Sequence, residues 1–106
     1  MLNRRDVVKK IKSALTAHLF ISGLGSPSYD LHAAGDNPKN FYLWGAMGGA
    51  AMMGLGLAMA RPDQKIAVLT GDGEQLMGLG ALATIGVAKP QNCLLYTSDA
   101  ADDWFC

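Results

Sequence analysis

Leu69-Thr70-Gly71-Asp72-Gly73-Glu74 closes an apolar run that begins at Ile66, and it sets one carboxylate between two glycines. A buried strand of a parallel sheet ends this way when it must deliver a carboxylate and bare backbone amides to one point. If a helix follows, its first N–H groups can hold a phosphate while Asp72 holds the counter-cation. A tight turn with a solvated aspartate has the same pattern, so the stretch is read together with its surroundings.

Working outward, a second glycine-rich segment, Trp44-Gly45-Ala46-Met47-Gly48-Gly49-Ala50-Ala51, follows the apolar stretch Phe41 to Trp44 and precedes small residues that run to Ala60. A third, Gly23-Leu24-Gly25-Ser26-Pro27, follows Leu19 to Ser22. Apolar runs closed by glycines and followed by helix-forming stretches predict parallel βαβ units in an α/β domain, with all three loops at the carboxyl ends of strands. The strands are expected at Leu19–Ser22, Phe41–Trp44 and Lys65–Thr70. The helices are expected from an Asn3 cap to about Ala17, from a Ser28 cap to a close at Gly35, from Met47 to Ala60, and from about Glu74 to Val87.

Half of the 106 residues are hydrophobic, which excludes a disordered chain. The formal charge is zero, and without residues 93–106 nine basic residues face six acidic ones, a net +3. Neither balance favours nucleic acid. Arg4, Arg5, Lys9, Lys10 and Lys12 alternate with Val7, Val8, Ile11 and Leu15 at helical spacing, the pattern of a solvated helix face. Gly45 to Ala60 is uncharged, but it is shorter than the roughly 20 residues of a bilayer span and runs into Arg61-Pro62-Asp63, so no membrane segment is expected. The first helix carries charge where a signal sequence needs an apolar core, which makes the cytoplasm the expected location. Gly23-Leu24-Gly25 lacks the third glycine of a dinucleotide fingerprint, and His18 and His32 have no partner at metal-ligand spacing.

Taken in order, the strand with Gly23-x-x-Ser26, Phe41-Tyr42, Gly45-x-Met47-Gly48 and Gly71-Asp72-Gly73 resemble the diphosphate-binding domain of thiamine-diphosphate-dependent enzymes. Within that superfamily they are most similar to the beta-type subunits of sulfopyruvate and phosphonopyruvate decarboxylases. The resemblance covers about Leu2 to Asn92. It implies the thiamine-diphosphate-binding fold, a parallel sheet with flanking helices, and thiamine diphosphate with Mg²⁺ as cofactors. It further implies decarboxylation of a small 2-oxoacid and a partner subunit or domain, the alpha or pyrimidine-binding one. A carboligase of the acetolactate-synthase type shares these motifs. A non-catalytic binding or assembly module would keep the sheet without the chemistry.

The same resemblance distributes roles. Asp72 ligates the metal; Gly71, Gly73 and the backbone at Glu74 border the diphosphate, as do Gly25 and Ser26. A metal–carboxylate charge pair at about 4 Å contributes on the order of 4 kcal/mol of Coulomb energy before desolvation. Met47 matches the apolar wedge beneath the bent cofactor, and the Gly45 carbonyl with the Met47 amide matches the groups that bind the aminopyrimidine. The residues alone leave Met47 open as an ordinary core methionine, and Glu74 open as a first-turn glutamate that stabilises its helix. The glutamate that activates the cofactor belongs to the partner, so no catalytic residue is expected in this chain. The family's second metal ligand, an asparagine, would fall near Ala100, yet no asparagine follows Asn92.

From Cys93 the chain reads Cys-Leu-Leu-Tyr-Thr-Ser-Asp-Ala-Ala-Asp, which resembles the in-frame translation of a transposon-end sequencing adapter. The expected organisation is residues 1–92 as the N-terminal part of a diphosphate-binding domain and 93–106 as a tail foreign to it. Both cysteines, Cys93 and Cys106, lie in that tail and say nothing of redox compartment.

Overall fold

The computed structural model describes residues 4–23, 25–44 and 46–98. Four strands, β1 (Leu19–Ser22), β2 (Asn40–Tyr42), β3 (Ile66–Gly71) and β4 (Cys93–Ser98), form one sheet in the order β2-β1-β3-β4. Every neighbouring pair is parallel. The expected α/β class and parallel sheet are therefore present.

Among the described residues, helix α1 (Arg4–Ala14) precedes the first strand, and α2 (Ser26–Ala33), α3 (Ala50–Ala60), α4 (Asp72–Met77) and α5 (Gly80–Ala88) make the connections. Strand β3 is apolar without interruption because it is covered on both faces. Ile66 and Val68 point to one side with Ile21, Leu43, Ala50 and Ala58; Ala67 and Leu69 point to the other with Val8, Phe20 and Leu31. The first cluster is roofed by α3 and the second by α1 and α2. Each fully buried Leu, Ile or Phe contributes about 1.5–3 kcal/mol of transfer free energy. Asp30 on α2 is fully buried and paired with Arg4 and Arg5, which ties α1 to that layer.

Several element boundaries differ from the sequence expectation, each for a local reason. The Asn3 cap lies outside the described residues. Helix α1 stops at Ala14, where the His18 amide bonds the Leu15 carbonyl and turns the chain into β1. Ser28 does not cap α2: Gly25 stands at the cap position with φ +83°, Pro27 occupies the first turn, and the Ser28 hydroxyl donates to the Gly23 carbonyl (2.8 Å). Strand β2 begins at Asn40 and ends at Tyr42, two residues before Trp44, because it is an edge strand paired only with β1. Helix α3 starts at Ala50, after a turn over residues 46–49.

The single helix expected from Glu74 to Val87 is two, broken at Gly78-Leu79. Residues 93–98, set aside in the sequence reading, pair along their whole length with β3, from Cys93 beside Ile66 to Ser98 beside Gly71. Apolar Leu94, Leu95 and Tyr96 suit that position whatever their origin. Among the described residues no helix is long and apolar enough to cross a membrane.

Candidate functional site

The connection from β1 leads to β2 on one side of the sheet, while β3 continues to β4 on the other. Between β1 and β3 the winding reverses, which in open α/β sheets marks the ligand crevice at the carboxyl ends of the strands. The Gly23–Ser26 loop and the Gly71-Asp72-Gly73 loop leave from those ends. The loop after β2 reaches the same place, through Gly48.

The first loop continues the ladder before it turns, since the Gly23 N–H donates to the Leu69 carbonyl (2.7 Å). Gly25 then takes φ +83°, with no atom within 4 Å of the place its Cβ would occupy. With Ser28, Tyr29, Tyr42, Leu43 and Trp44 it lines a cleft of about 360 Å³. Burial pushes the Tyr42 phenol in this cleft above its ordinary pKa, and the neighbouring Asp36 carboxylate adds to the shift. Ser26 is exposed at the first position of α2.

In the second loop the Gly49 N–H donates to the Ala46 carbonyl (3.0 Å), closing a β-turn with Met47 and Gly48 at its centre. Gly48 has φ +88°, the left-handed conformation that the third position of a type II turn demands. This explains the glycine that follows Met47. Met47 stands at the corner of the turn, 52% exposed, rather than in the core. Gly45 lies outside the described residues.

The third loop presents Asp72 at the start of α4, exposed, with its Oδ1 accepting the Gly73 N–H (2.7 Å). An arriving phosphate would compete for that amide. Gly71 ends β3 in an extended conformation with open space around it. Asp72 also edges a second cleft, of about 320 Å³, with Gln75, Leu76, Leu79, Leu82, Leu95 and Thr97. Among the described residues no three His, Cys, Asp or Glu side chains cluster as a metal cage. Mg²⁺ takes about six oxygens and keeps several from phosphates and water. One exposed carboxylate beside open glycines fits a cation held jointly with a bound diphosphate, and does not fit a cation held by this chain alone.

Glu74 behaves unlike the exposed first-turn glutamate that its position suggests. It is 5% exposed, its Oε2 accepts the Gly48 N–H (3.3 Å), and its Oε1 has no partner. Gly23, Gly48 and Gly78 are site residues that sequence reasoning missed. A Cβ at residue 23 would overlap the Glu74 carboxylate, and one at residue 78 would overlap the Gly48 carbonyl. The glycines themselves were visible, but nothing local distinguishes a glycine that admits a distant side chain from one that shapes a turn.

A doubly covered parallel sheet, with glycine-rich loops and the carboxylates of Asp72 and Glu74 at its reversal point, is the arrangement of an α/β ligand-binding domain. The chain belongs to the family described as thiamine pyrophosphate enzyme, C-terminal TPP binding domain, which matches residues 25–95. It is 39% identical, over 93% of its length, to the sulfopyruvate decarboxylase subunit beta of Methanothermobacter thermautotrophicus, of which it covers 53%. The corresponding subunit of Methanocaldococcus jannaschii is 42% identical over 91% of this chain and 51% of its own length. The phosphonopyruvate decarboxylase of Streptomyces viridochromogenes is 44% identical over 68% of this chain and 18% of its own. The chain thus spans about half the length of the beta subunits it matches.

Proposed function

We propose that this chain carries the cofactor-binding part of a 2-oxoacid decarboxylase that uses thiamine diphosphate and Mg²⁺, with a sulfopyruvate- or phosphonopyruvate-like substrate. The observation that carries the proposal is the meeting of three glycine-rich loops at Glu74, two residues past Asp72, at the carboxyl ends of β1 and β3. When bound, thiamine diphosphate supplies the electron sink for loss of CO₂. The chain's own part is to hold it. Asp72 takes a share of the metal; Gly71, Gly73 and the Glu74 amide border the diphosphate, with Gly25 and Ser26 across the crevice. Met47, projecting from its turn, supports the cofactor from beneath, with the Gly45 carbonyl and the Met47 amide on the aminopyrimidine.

In this reading the group that activates the cofactor by acid–base chemistry comes from a pyrimidine-binding alpha subunit or domain. The relatives named as beta subunits support the same pairing. We propose as well that residues 93–106 are foreign to the domain, which leaves residues 1–92 as its N-terminal part. Strand pairing by Cys93–Ser98 asks only for apolar residues and is neutral on origin.

The deciding measurement is thermal unfolding of the full subunit with its partner, with and without thiamine diphosphate and Mg²⁺. Ligand at one hundred times its dissociation constant should add about 2.7 kcal/mol of stability, and Asp72→Ala should abolish the metal-dependent part of that gain. No shift in the wild-type assembly would sink the proposal and leave a non-catalytic module. Release of CO₂ from sulfopyruvate or phosphonopyruvate, without carbon–carbon bond formation, separates the decarboxylase from a carboligase.

A further inference from the structure

Among the described residues, all three glycine-rich loops touch at the Glu74 carboxylate. It rises from the Gly71-Asp72-Gly73 loop, packs against Gly23 so closely that no side chain fits there, and accepts the Gly48 N–H from the Met47 turn (3.3 Å). Below it, the Glu74 carbonyl accepts the Gly78 N–H (3.3 Å), and Gly78 lies against the backbone of Gly48, where a Cβ on Gly48 would stand 2.9 Å from the Gly78 nitrogen. The Met47-Gly48 turn therefore rests on two supports one helical turn apart, a carboxylate above and a bare glycine below. No cation pairs with Glu74 among the described residues, and its Oε1 is buried without a donor. Such a group is expensive to keep and is retained where the surrounding geometry requires it.

We infer that Glu74 is a positioning residue: with Gly78 it forms a two-point seat that fixes the Met47-Gly48 turn to the Asp72 loop, so that the cofactor-supporting methionine and the metal-binding carboxylate keep one spacing. The consequence for the cofactor rests on the function proposed above; the seat itself rests on geometry alone. The seat also explains why residue 78, at the break between α4 and α5, is glycine, because a side chain there would push the turn away.

The test compares Glu74→Ala, Glu74→Gln and Gly78→Ala in the full subunit assembled with its partner. Two readouts are used: hydrogen exchange of the peptide containing Gly48, and binding of thiamine diphosphate with Mg²⁺. Loss of one hydrogen bond to a charged acceptor corresponds to roughly ten- to a hundredfold in affinity. Glu74→Ala should speed exchange at Gly48 and weaken cofactor binding by that factor. Gly78→Ala should speed the same exchange from the other end of the seat. Glu74→Gln, which keeps an oxygen acceptor, should restore most of both, and it carries the test if Glu74→Ala does not fold. Unchanged exchange at Gly48 in Glu74→Ala, or a glutamine variant as impaired as the alanine one, overturns the seat. A wild-type assembly that binds no cofactor overturns the proposed function instead, while faster Gly48 exchange in the variants would still support the seat.

Discussion

At Gly54 the space a side chain would need is already filled. A Cβ there would overlap Val68 Cγ2, in the middle of the central strand, whereas two residues along the same helix a Cβ at Gly56 would meet nothing within 4 Å. Two substitutions of one kind should therefore act with opposite sign. Gly56→Ala gains the helix preference and the entropy lost by the unfolded chain, about 0.5–1 kcal/mol. Gly54→Ala gains the same amount but must displace α3 from a strand that is 1% exposed at Val68, and overpacking of that kind costs about 1–3 kcal/mol. The net expectation is a loss on the order of 1–2 kcal/mol. Urea unfolding with an unchanged slope checks both, and equal midpoints for the two variants would contradict the close packing of α3 on β3.

Elements here are closed by contacts that come from far along the chain. Asn92, just before β4, donates through Nδ2 to the carbonyls of Ala58 (3.1 Å), Arg61 (3.3 Å) and Gln64 (2.7 Å). The Ala58 carbonyl belongs to the last turn of α3, of the kind a helix leaves without internal partners, and the other two lie in the turn that follows, where the Arg61 carbonyl also accepts the Gln64 N–H (3.0 Å). Asn92→Ala should cost about 1–3 kcal/mol, because the acceptors stay partly buried after the donor is gone. Asn92→Asp, which keeps the size but not the donor, should cost at least as much. A midpoint unmoved in both would show that water replaces the amide. The same long reach explains what the sequence disclosed. Strands β1 and β3 were legible because short apolar runs, Leu19–Ile21 and Ile66–Leu69, lead into closing glycines at Gly23 and Gly71, and the closing glycine of α2 was legible at Gly35, whose φ is +128°. The need for glycine at the break in the last helix was not, since it depends on Gly48 some thirty residues upstream. Nor was the burial of Glu74, because an acidic residue in a first helical turn ordinarily faces water. Asp72 was legible because glycines flank it directly, whereas Met47, expected as the first residue of a helix, stands in the turn before α3, where Gly48 takes φ +88°.

At the scale of the whole molecule, the described residues leave the four-stranded sheet with two unpaired edges. Strand β2 pairs only with β1, and β4 only with β3, with Leu94 on β4 47% exposed. Met59, Leu76, Met77, Leu79 and Val87 are each more than half exposed as well. Unpaired parallel edges beside exposed apolar side chains recruit further strands or a partner. The 106-residue chain by itself should therefore sediment as concentration-dependent oligomers at micromolar concentrations, and Leu94→Lys should shift it toward monomer. A single monomeric boundary for the unsubstituted chain would contradict this.

The strand order also sets a timetable. Strand β1 can pair with β2 soon after both leave the ribosome, but its other side is reserved for β3, which begins at Ile66. Synthesis proceeds at about 5–20 residues per second, so the roughly forty residues between Ser22 and Ile66 keep that side of β1 waiting on the order of 2–8 s. During that interval Phe20 and Ile21, both 2% exposed in the finished fold, have no roof from the central strand. The reversal in winding that marks the binding crevice thus makes the newborn chain dependent, for those seconds, on whatever shields a sticky half-sheet in the cell.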